Sequence, residues 1–258
     1  MQIFIPSMQR SHDVRTALDL AGAGLTPIMV VPKGEAKAYR AALPAVEVVE
    51  HPQGIGIARA RQWIMDHASE AAAVMVDDDL SFHVRRTDDT TKFRQAKPAD
   101  VRRMFNTLEK HLGKYAHAST IARQGGNRVT GDMFCSRPWH VFGFNVEKFR
   151  AAGVKYCAGL VQDDFDITLQ LLRKGFPNIV MGGYAVNQHG GHGSPGGANT
   201  YRTLEVHNNS VMRLKERHSE FVRVRETDYK SGNGEWGQRF EVVISWKKAY
   251  KEGCDACS

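Results

Sequence analysis

The sequence is poor in cysteine, with only Cys135, Cys157, Cys254 and Cys257 among 258 residues. So few thiols exclude a disulfide scaffold and fit a reducing compartment. Cys254-Asp255-Ala256-Cys257 has the spacing of half a zinc knuckle. A matching second pair is missing, so no zinc is assigned there. No apolar run is long enough to span a bilayer, and no membrane association is expected. The opening residues, Met1-Gln2-Ile3-Phe4-Ile5-Pro6, lack a basic segment followed by an apolar core. A signal peptide is therefore not expected, and a cytoplasmic protein is. Internal repeats and long linkers are also lacking, and no obligate protein partner is inferred. Acidic residues are outnumbered, 28 against 35 Lys and Arg, for a net charge of +7. That balance fits a polyanionic partner or substrate. Hydrophobic content of 42% and charged content of 24% suit an ordinary globular chain, large enough for one α/β domain with an appended module.

What is present alternates strand with helix. Ile3–Ile5, Pro27–Val31, Val46–Val49 and Ala71–Val76 read as strands. Helical stretches lie between them: one reaching Ala23, one over Ala36–Ala42, and one from Ile57 to Ala68 after the turn Gly54-Ile55-Gly56. This order predicts a mostly parallel sheet with helices on both faces. Residues 85–97 are polar, with little apolar periodicity, and read as a mobile loop. Pro98 opens a helix whose buried face carries Val101, Met104, Phe105, Leu108 and Leu112. Ala116–Ile121, Trp139–Phe144 and Ile179–Val186 read as further strands, and Asp163–Lys174 as a helix ended by Gly175-Phe176-Pro177. A basic helix over Asn208–Glu220 leads into an aromatic, basic tail. The division expected is a main domain over 1–204 and a small basic extension over 205–258.

Three consecutive aspartates, Asp77-Asp78-Asp79, end the apolar run Ala71–Val76. A strand buried on both faces reads as such a run, and ligands of open α/β sheets gather at carboxyl ends of strands. Adjacent carboxylates repel unless a cation offsets them, and a hard divalent ion carrying a phosphorylated substrate does so. An acidic loop tip is the alternative. Arg59 and Arg61, near a helix start, are able to meet a diphosphate, or else form a solvated helix face. Asp163-Asp164-Phe165-Asp166 begins a helix, where one carboxylate serves as a cap. Three exceed that need, and one is a candidate general base if burial or a like-charged neighbour restores its basicity. The loop Gln188–Gly197 holds His189, His192 and Gly193 among glycines able to wrap a phosphate, with histidine as a metal ligand. A flexible surface loop is again the alternative.

Together these pieces resemble nucleotide-sugar glycosyltransferases of the GT-A fold. That family has a strand-ending Asp-x-Asp, an acidic segment leading a helix, and a later histidine near the metal. The matches are Asp77-Asp78-Asp79, Asp163-Asp164-Phe165-Asp166, and His189 or His192, in the same order, over roughly residues 1–200. Ile5-Pro6-Ser7 with Arg10, and the run at 54–61, resemble its nucleotide-binding edge. The compact size, basic charge and glycine-rich histidine loop look most like the phage TET-associated glycosyltransferases. The resemblance implies hexose transfer from a UDP-sugar to 5-hydroxymethylcytosine or a related hydroxymethylpyrimidine in phage DNA. It implies Mn²⁺ or Mg²⁺ on Asp77, Asp79 and His189, with His192 and Gly193 in a phosphate or metal loop. Ser7, Arg10, Arg59, Arg61 and Asp78 would hold the nucleotide-sugar. Asp164 would be the base, with Asp163 beside it; many inverting relatives carry Glu at that position. A retaining mechanism follows instead if Asp164 faces away from the acceptor. Arg85, Arg86, Lys247 and Lys248 are candidate DNA contacts, and the 81–97 loop would order over the donor. Tail aromatics such as Trp246 either stack on bases or pack as a small core.

Two rival classes remain beside an acceptor other than DNA. A nucleotidyltransferase usually carries a glycine-rich loop after its first strand, but Ser7-Met8-Gln9-Arg10 has no glycine. A non-catalytic binding module has no reason to retain clustered carboxylates.

Overall fold

The computed structural model describes residues 1–189, 196–228 and 238–255. In chain order the elements are β1 (Gln2–Pro6), α1 (Arg15–Gly22), β2 (Pro27–Pro32), α2 (Ala36–Ala42), β3 (Glu47–His51), α3 (Gly56–His67), β4 (Ala72–Val76), β5 (Leu80–Arg85), β6 (Phe93–Gln95) and α4 (Pro98–Lys114). Then come β7 (His117–Ala122), the single turn α5 (Arg123–Gly126), β8 (Met133–Phe134), β9 (Trp139–Asn145), α6 (Val146–Ala151), α7 (Asp163–Leu172), β10 (Asn178–Gln188), α8 (Leu204–Arg217), β11 (Val222–Asp228), β12 (Gln238–Ile244) and α9 (Trp246–Asp255).

The main sheet runs β3-β2-β1-β4-β9-β7-β10-β5-β6, with β8 on β10. Its first four strands are parallel. Antiparallel β9 then lies between β4 and β7, and β7 pairs parallel with β10. Strands alternate their side chains between two cores. Ile3, Ile5, Val74 and Val76 pack with Leu20, Tyr39, Phe105 and Leu108 on one face. Phe4, Ala73 and Met75 pack with Ala58, Ile64, Phe149 and Ile167 on the other. This two-sided burial is why β4 reads as an unbroken apolar run. Strand order reverses at β1, whose neighbours are β2 and β4, so a crevice opens beyond their carboxyl ends. Ser7 leaves β1 there and Asp77 leaves β4. The C-terminal elements pack through their own cluster, with Phe165, Leu169 and Leu172 of α7 against Leu214, Phe221, Val222 and Ala249. No described helix is long and apolar enough to cross a membrane.

One expectation is corrected. Residues 85–97 are not all loop: β5 and β6 form a hairpin, and β5 also pairs with β10. Leu80 and Phe82 point into the core, while Arg85 stacks over Phe93 at 4.3 Å from the ring centre. Arg85 and Phe93–Gln95 therefore belong to strands of the sheet, and residues 86–92 connect them.

His117 on β7 is fully buried and stacked on Phe144, 4.5 Å between ring centres. Its Nδ1 bonds the Gly143 carbonyl at 2.7 Å, while Nε2 has no partner among the described residues. Burial lowers its pKa to about 4. A depressed folded pKa adds stability above the unfolded value near 6.5, lost as pH falls toward 4, on the order of 3 kcal/mol in all. His117→Gln should flatten the fall in urea midpoint between pH 6.5 and 4; an unchanged slope would remove His117 from the acid response.

Candidate active site

The site is assembled where β1, β4, β9 and the start of α7 converge. After β1 the chain turns through Gln9, which adopts φ +56, a strained value for a non-glycine residue. That turn brings Ser7 and Arg10 onto Asp78. Ser7 Oγ donates to Asp78 and shares a 2.7 Å bond with Tyr39 Oη. Arg10 donates to Asp78 at 2.8 Å and to Asp79 at 3.1 Å. The described ends of the glycine-rich loop close over the same turn. The amide of His189 donates to the Asp79 carbonyl at 2.7 Å, and that of Gly197 to the Met8 carbonyl at 2.8 Å. Gly196, at φ +80, lies so close to Arg10 and Gln9 that a Cβ would come within 2.7 Å of each, so only glycine fits. His192 and Gly193 lie outside the described residues. The imidazole of His189 is within electrostatic range of Asp19 and His83.

The opposite flank is a buried charge network. Gly54 and Gly56 take φ +73 and +71, letting the chain turn sharply into α3. Arg61 is 6% exposed. It donates to both oxygens of Asp163 at 2.9 Å and to Asp77 at 2.9 Å, and rests 4.6 Å over the Phe142 ring. Burial works against its charge, but Asp163 and Asp77 outweigh it and hold the guanidinium well above its ordinary pKa. His140 Nδ1 bonds the other oxygen of Asp77 at 2.7 Å. Burial lowers the His140 pKa, yet Asp77 more than offsets this and leaves it raised. His140 sits at φ +52, a second strained residue against the acidic triplet. Arg59 is exposed on the other side of α3, away from this network.

Asp79 differs from its neighbours. It is 2% exposed. Oδ2 accepts from Arg10 and from Gln188 Nε2 at 3.2 Å, while Oδ1 is buried without a partner among the described residues. Burial, then Asp77 and Asp78, push its pKa up to about 7. An orphaned buried carboxylate oxygen beside two other carboxylates fits a cation. Among the described residues no group of three or more His, Cys, Asp and Glu side chains could hold a metal ion by itself. The residues present therefore fit an ion that takes most ligands from a diphosphate and water, as Mg²⁺ usually does. Both oxygens of Asp77 are already hydrogen-bonded, so it reaches such an ion only by sharing one with Arg61 or His140.

The acidic start of α7 divides into three jobs. Asp163 is locked onto Arg61. Asp166 is fully buried and faces α8, accepting from Arg217 at 2.8 Å and His218 at 2.8 Å. Asp164 is partly exposed and lies electrostatically among Arg137, Arg61 and His140; burial raises its pKa against those cations. Breaking a buried ion pair costs about 3–5 kcal/mol, so Asp166→Ala should lower the unfolding free energy by about that much; a loss under 1 kcal/mol in urea titration would refute the anchor.

Sequence reasoning did not find His140, Arg137 or Tyr39, which stand alone in their segments without a motif, and gave no role to Gln188 at the start of the glycine-rich loop. It named other residues that lie elsewhere. Arg85 turns inward and donates to the carbonyls of Gly182, Thr90 and Gly126. Arg86 is exposed and paired with Asp88. Lys248 pairs with Glu252 at 3.4 Å, while Lys247 lines a surface cavity.

The model of the TET-Associated Glycosyltransferase family matches residues 1–197. The chain belongs to the TET-associated glycosyltransferase family. It is thus a glycosyltransferase of GT-A type, and the solved structures it resembles agree on the fold. A glucosyl-3-phosphoglycerate synthase from Mycobacterium tuberculosis, in complex with Mn²⁺, UDP and glucosyl-3-phosphoglycerate, is 9% identical. The match covers 94% of this chain and 86% of that one, with a TM-score of 0.51. The same synthase with Mn²⁺, UDP-glucose and phosphoglyceric acid is 12% identical over 87% and 83%, TM-score 0.52. TarS of S. aureus, residues 1–349 with UDP, is 10% identical over 86% and 72%, TM-score 0.51. No curated protein matches the chain in sequence. Within this TET-associated glycosyltransferase, the crevice at β1 and β4 faces the acidic start of α7.

Proposed function

We propose that this chain moves a hexose from a UDP-sugar onto the hydroxymethyl group of a modified pyrimidine in DNA, with Asp164 as the base. The observation that carries the reading is the division of labour among the acids. Asp163, Asp166, Asp77 and Asp78 are tied to named partners, whereas Asp164 stays accessible with raised basicity and Asp79 keeps one oxygen unpartnered. The family's name and the net charge of +7 support a polyanionic acceptor. The Mn²⁺ and UDP in the similar synthase support the donor side.

Asp79 and His189 would hold Mn²⁺ or Mg²⁺, with Asp77 alongside. The bound ion supplies positive charge against the diphosphate as it leaves. Ser7, Arg10 and Asp78 orient the nucleoside end. Arg61 and His140 hold positive charge beside Asp77 and so prepare the floor for anionic oxygen. Asp164 takes the proton from the acceptor hydroxyl. That oxygen bonds the anomeric carbon as the carbon–diphosphate bond breaks, and UDP departs with the electron pair, inverting the centre. The described part of the 205–258 extension would contribute the acceptor side of the cleft.

The test is UDP release from a panel of UDP-hexoses in Mn²⁺. The reading expects release to be stimulated by hydroxymethylated DNA and not by the unmodified duplex. Equal release with both would contradict the DNA acceptor.

A further inference from the structure

The flank of the cleft beyond Asp164 carries an arrangement that sugar transfer to a small acceptor does not need. Arg137, in the segment joining β8 to β9, lies exposed. Its guanidinium stacks 3.7 Å over Trp139 and 4.4 Å from the Phe165 ring centre. Phe165 in turn meets Trp246 edge-on at 5.7 Å. A ladder of Trp139, Arg137, Phe165 and Trp246 thus runs from beside His140 to the start of α9. Among the described residues Arg137 has no carboxylate within ion-pairing distance, although Asp164 and Glu241 act on it electrostatically. Beside the ladder a cavity of ≈ 400 Å³ opens between Cys135–Ser136 and Ile244–Lys248. Trp246 and Lys247 line it, as do the hydroxyl-bearing Ser136 and Ser245.

Stacking fixes a guanidinium in place, lowers the entropy lost on binding, and leaves its N–H edge free for a planar or phosphate acceptor. An arginine so placed and lacking a carboxylate partner suits an anion that arrives with the substrate. The cavity, lined mostly by apolar surface, has the size for one nucleotide, with Trp246 as a stacking face for its base.

We propose that Arg137 holds the phosphate beside the acceptor nucleotide, and that the cavity bordered by Ser136, Trp246 and Lys247 seats the neighbouring nucleotide of the same strand. This inference rests on the DNA-acceptor reading above. It places the strand along the aromatic ladder, with the modified base directed to Asp164. Such a path requires the acceptor strand to leave the duplex locally, so that the modified base reaches Asp164.

The experiment is steady-state transfer to a hydroxymethylated oligonucleotide across a salt series. It compares the parent chain with Arg137→Ala, Arg137→Lys and Lys247→Ala. Arg137→Ala should raise KM for DNA at least about tenfold and reduce the salt slope of log KM by about one phosphate contact. Arg137→Lys, which keeps the charge, should recover part of that loss. Lys247→Ala should lower the slope further when combined with Arg137→Ala. UDP affinity, measured separately, reports whether each variant keeps a folded donor half. A parent chain that transfers to DNA while Arg137→Ala keeps its KM and salt slope would overturn the phosphate role alone. A parent chain that transfers to no hydroxymethylated strand would overturn the acceptor reading and this inference with it.

Discussion

Asp164→Asn should abolish most hexose transfer, cutting kcat by about 10³-fold, while UDP affinity stays within about twofold of the parent chain. Asparagine preserves the shape of the side chain and removes its basicity. Neither neighbouring acid is placed to substitute. Asp163 has both oxygens on one nitrogen of Arg61, and Asp166 is turned to Arg217 and His218. The same geometry predicts a contrast with Asp163→Asn, which loosens Arg61 and lowers stability as well as activity. Rapid-quench assays with saturating donor separate the two. A kcat for Asp164→Asn within tenfold of the parent would remove it as the base and would favour a retaining route.

Asp79→Asn should cost at least about 100-fold in metal-dependent UDP affinity, since loss of even an outer partner at a metal site costs 10–100-fold. It should also make the metal-free protein more stable, by about 2 kcal/mol, because a buried carboxylate oxygen with no donor among the described residues feels two like charges. Opposite signs for function and stability mark a residue retained for binding and not for folding. Calorimetry with UDP and Mn²⁺ measures the first effect and urea unfolding in chelator the second. Undiminished Mn²⁺-dependent affinity would take Asp79 out of the metal site. A destabilised variant would mean that Arg10 and Gln188 already balance its charge.

Much of this site was legible because it follows local rules. A strand buried on both faces leaves an unbroken apolar run, so the charged step at Asp77 stands out. The excess of acid at 163–166 also signalled more than a cap, and the fold divides the three among Arg61, the cleft and α8. Choosing Arg61 over Arg59 was within reach of periodicity. Arg61 shares the buried helical face of Ala58, Ile64 and Met65, and Arg59 does not. Other features depend on partners distant in the chain. The β5–β6 hairpin looked like a polar loop because its inner residues are few and β5 pairs with β10, Val84 lying opposite Tyr184. His140 reaches Asp77 only because β9 runs antiparallel to β4, with Val76 opposite Val141. Arg137 becomes noticeable only when Trp139 and Phe165 are brought to either side of it. No local pattern encodes those meetings.

Sugar transfer onto modified DNA is measured directly as the mass of nucleosides released from hydroxymethylated DNA after incubation with the protein, Mn²⁺ and UDP-hexoses. The expected product is a hydroxymethylpyrimidine nucleoside heavier by one hexose residue, formed with equimolar UDP and absent with Asp164→Asn. UDP release with no hexose on any nucleoside, for every donor supplied, would contradict it.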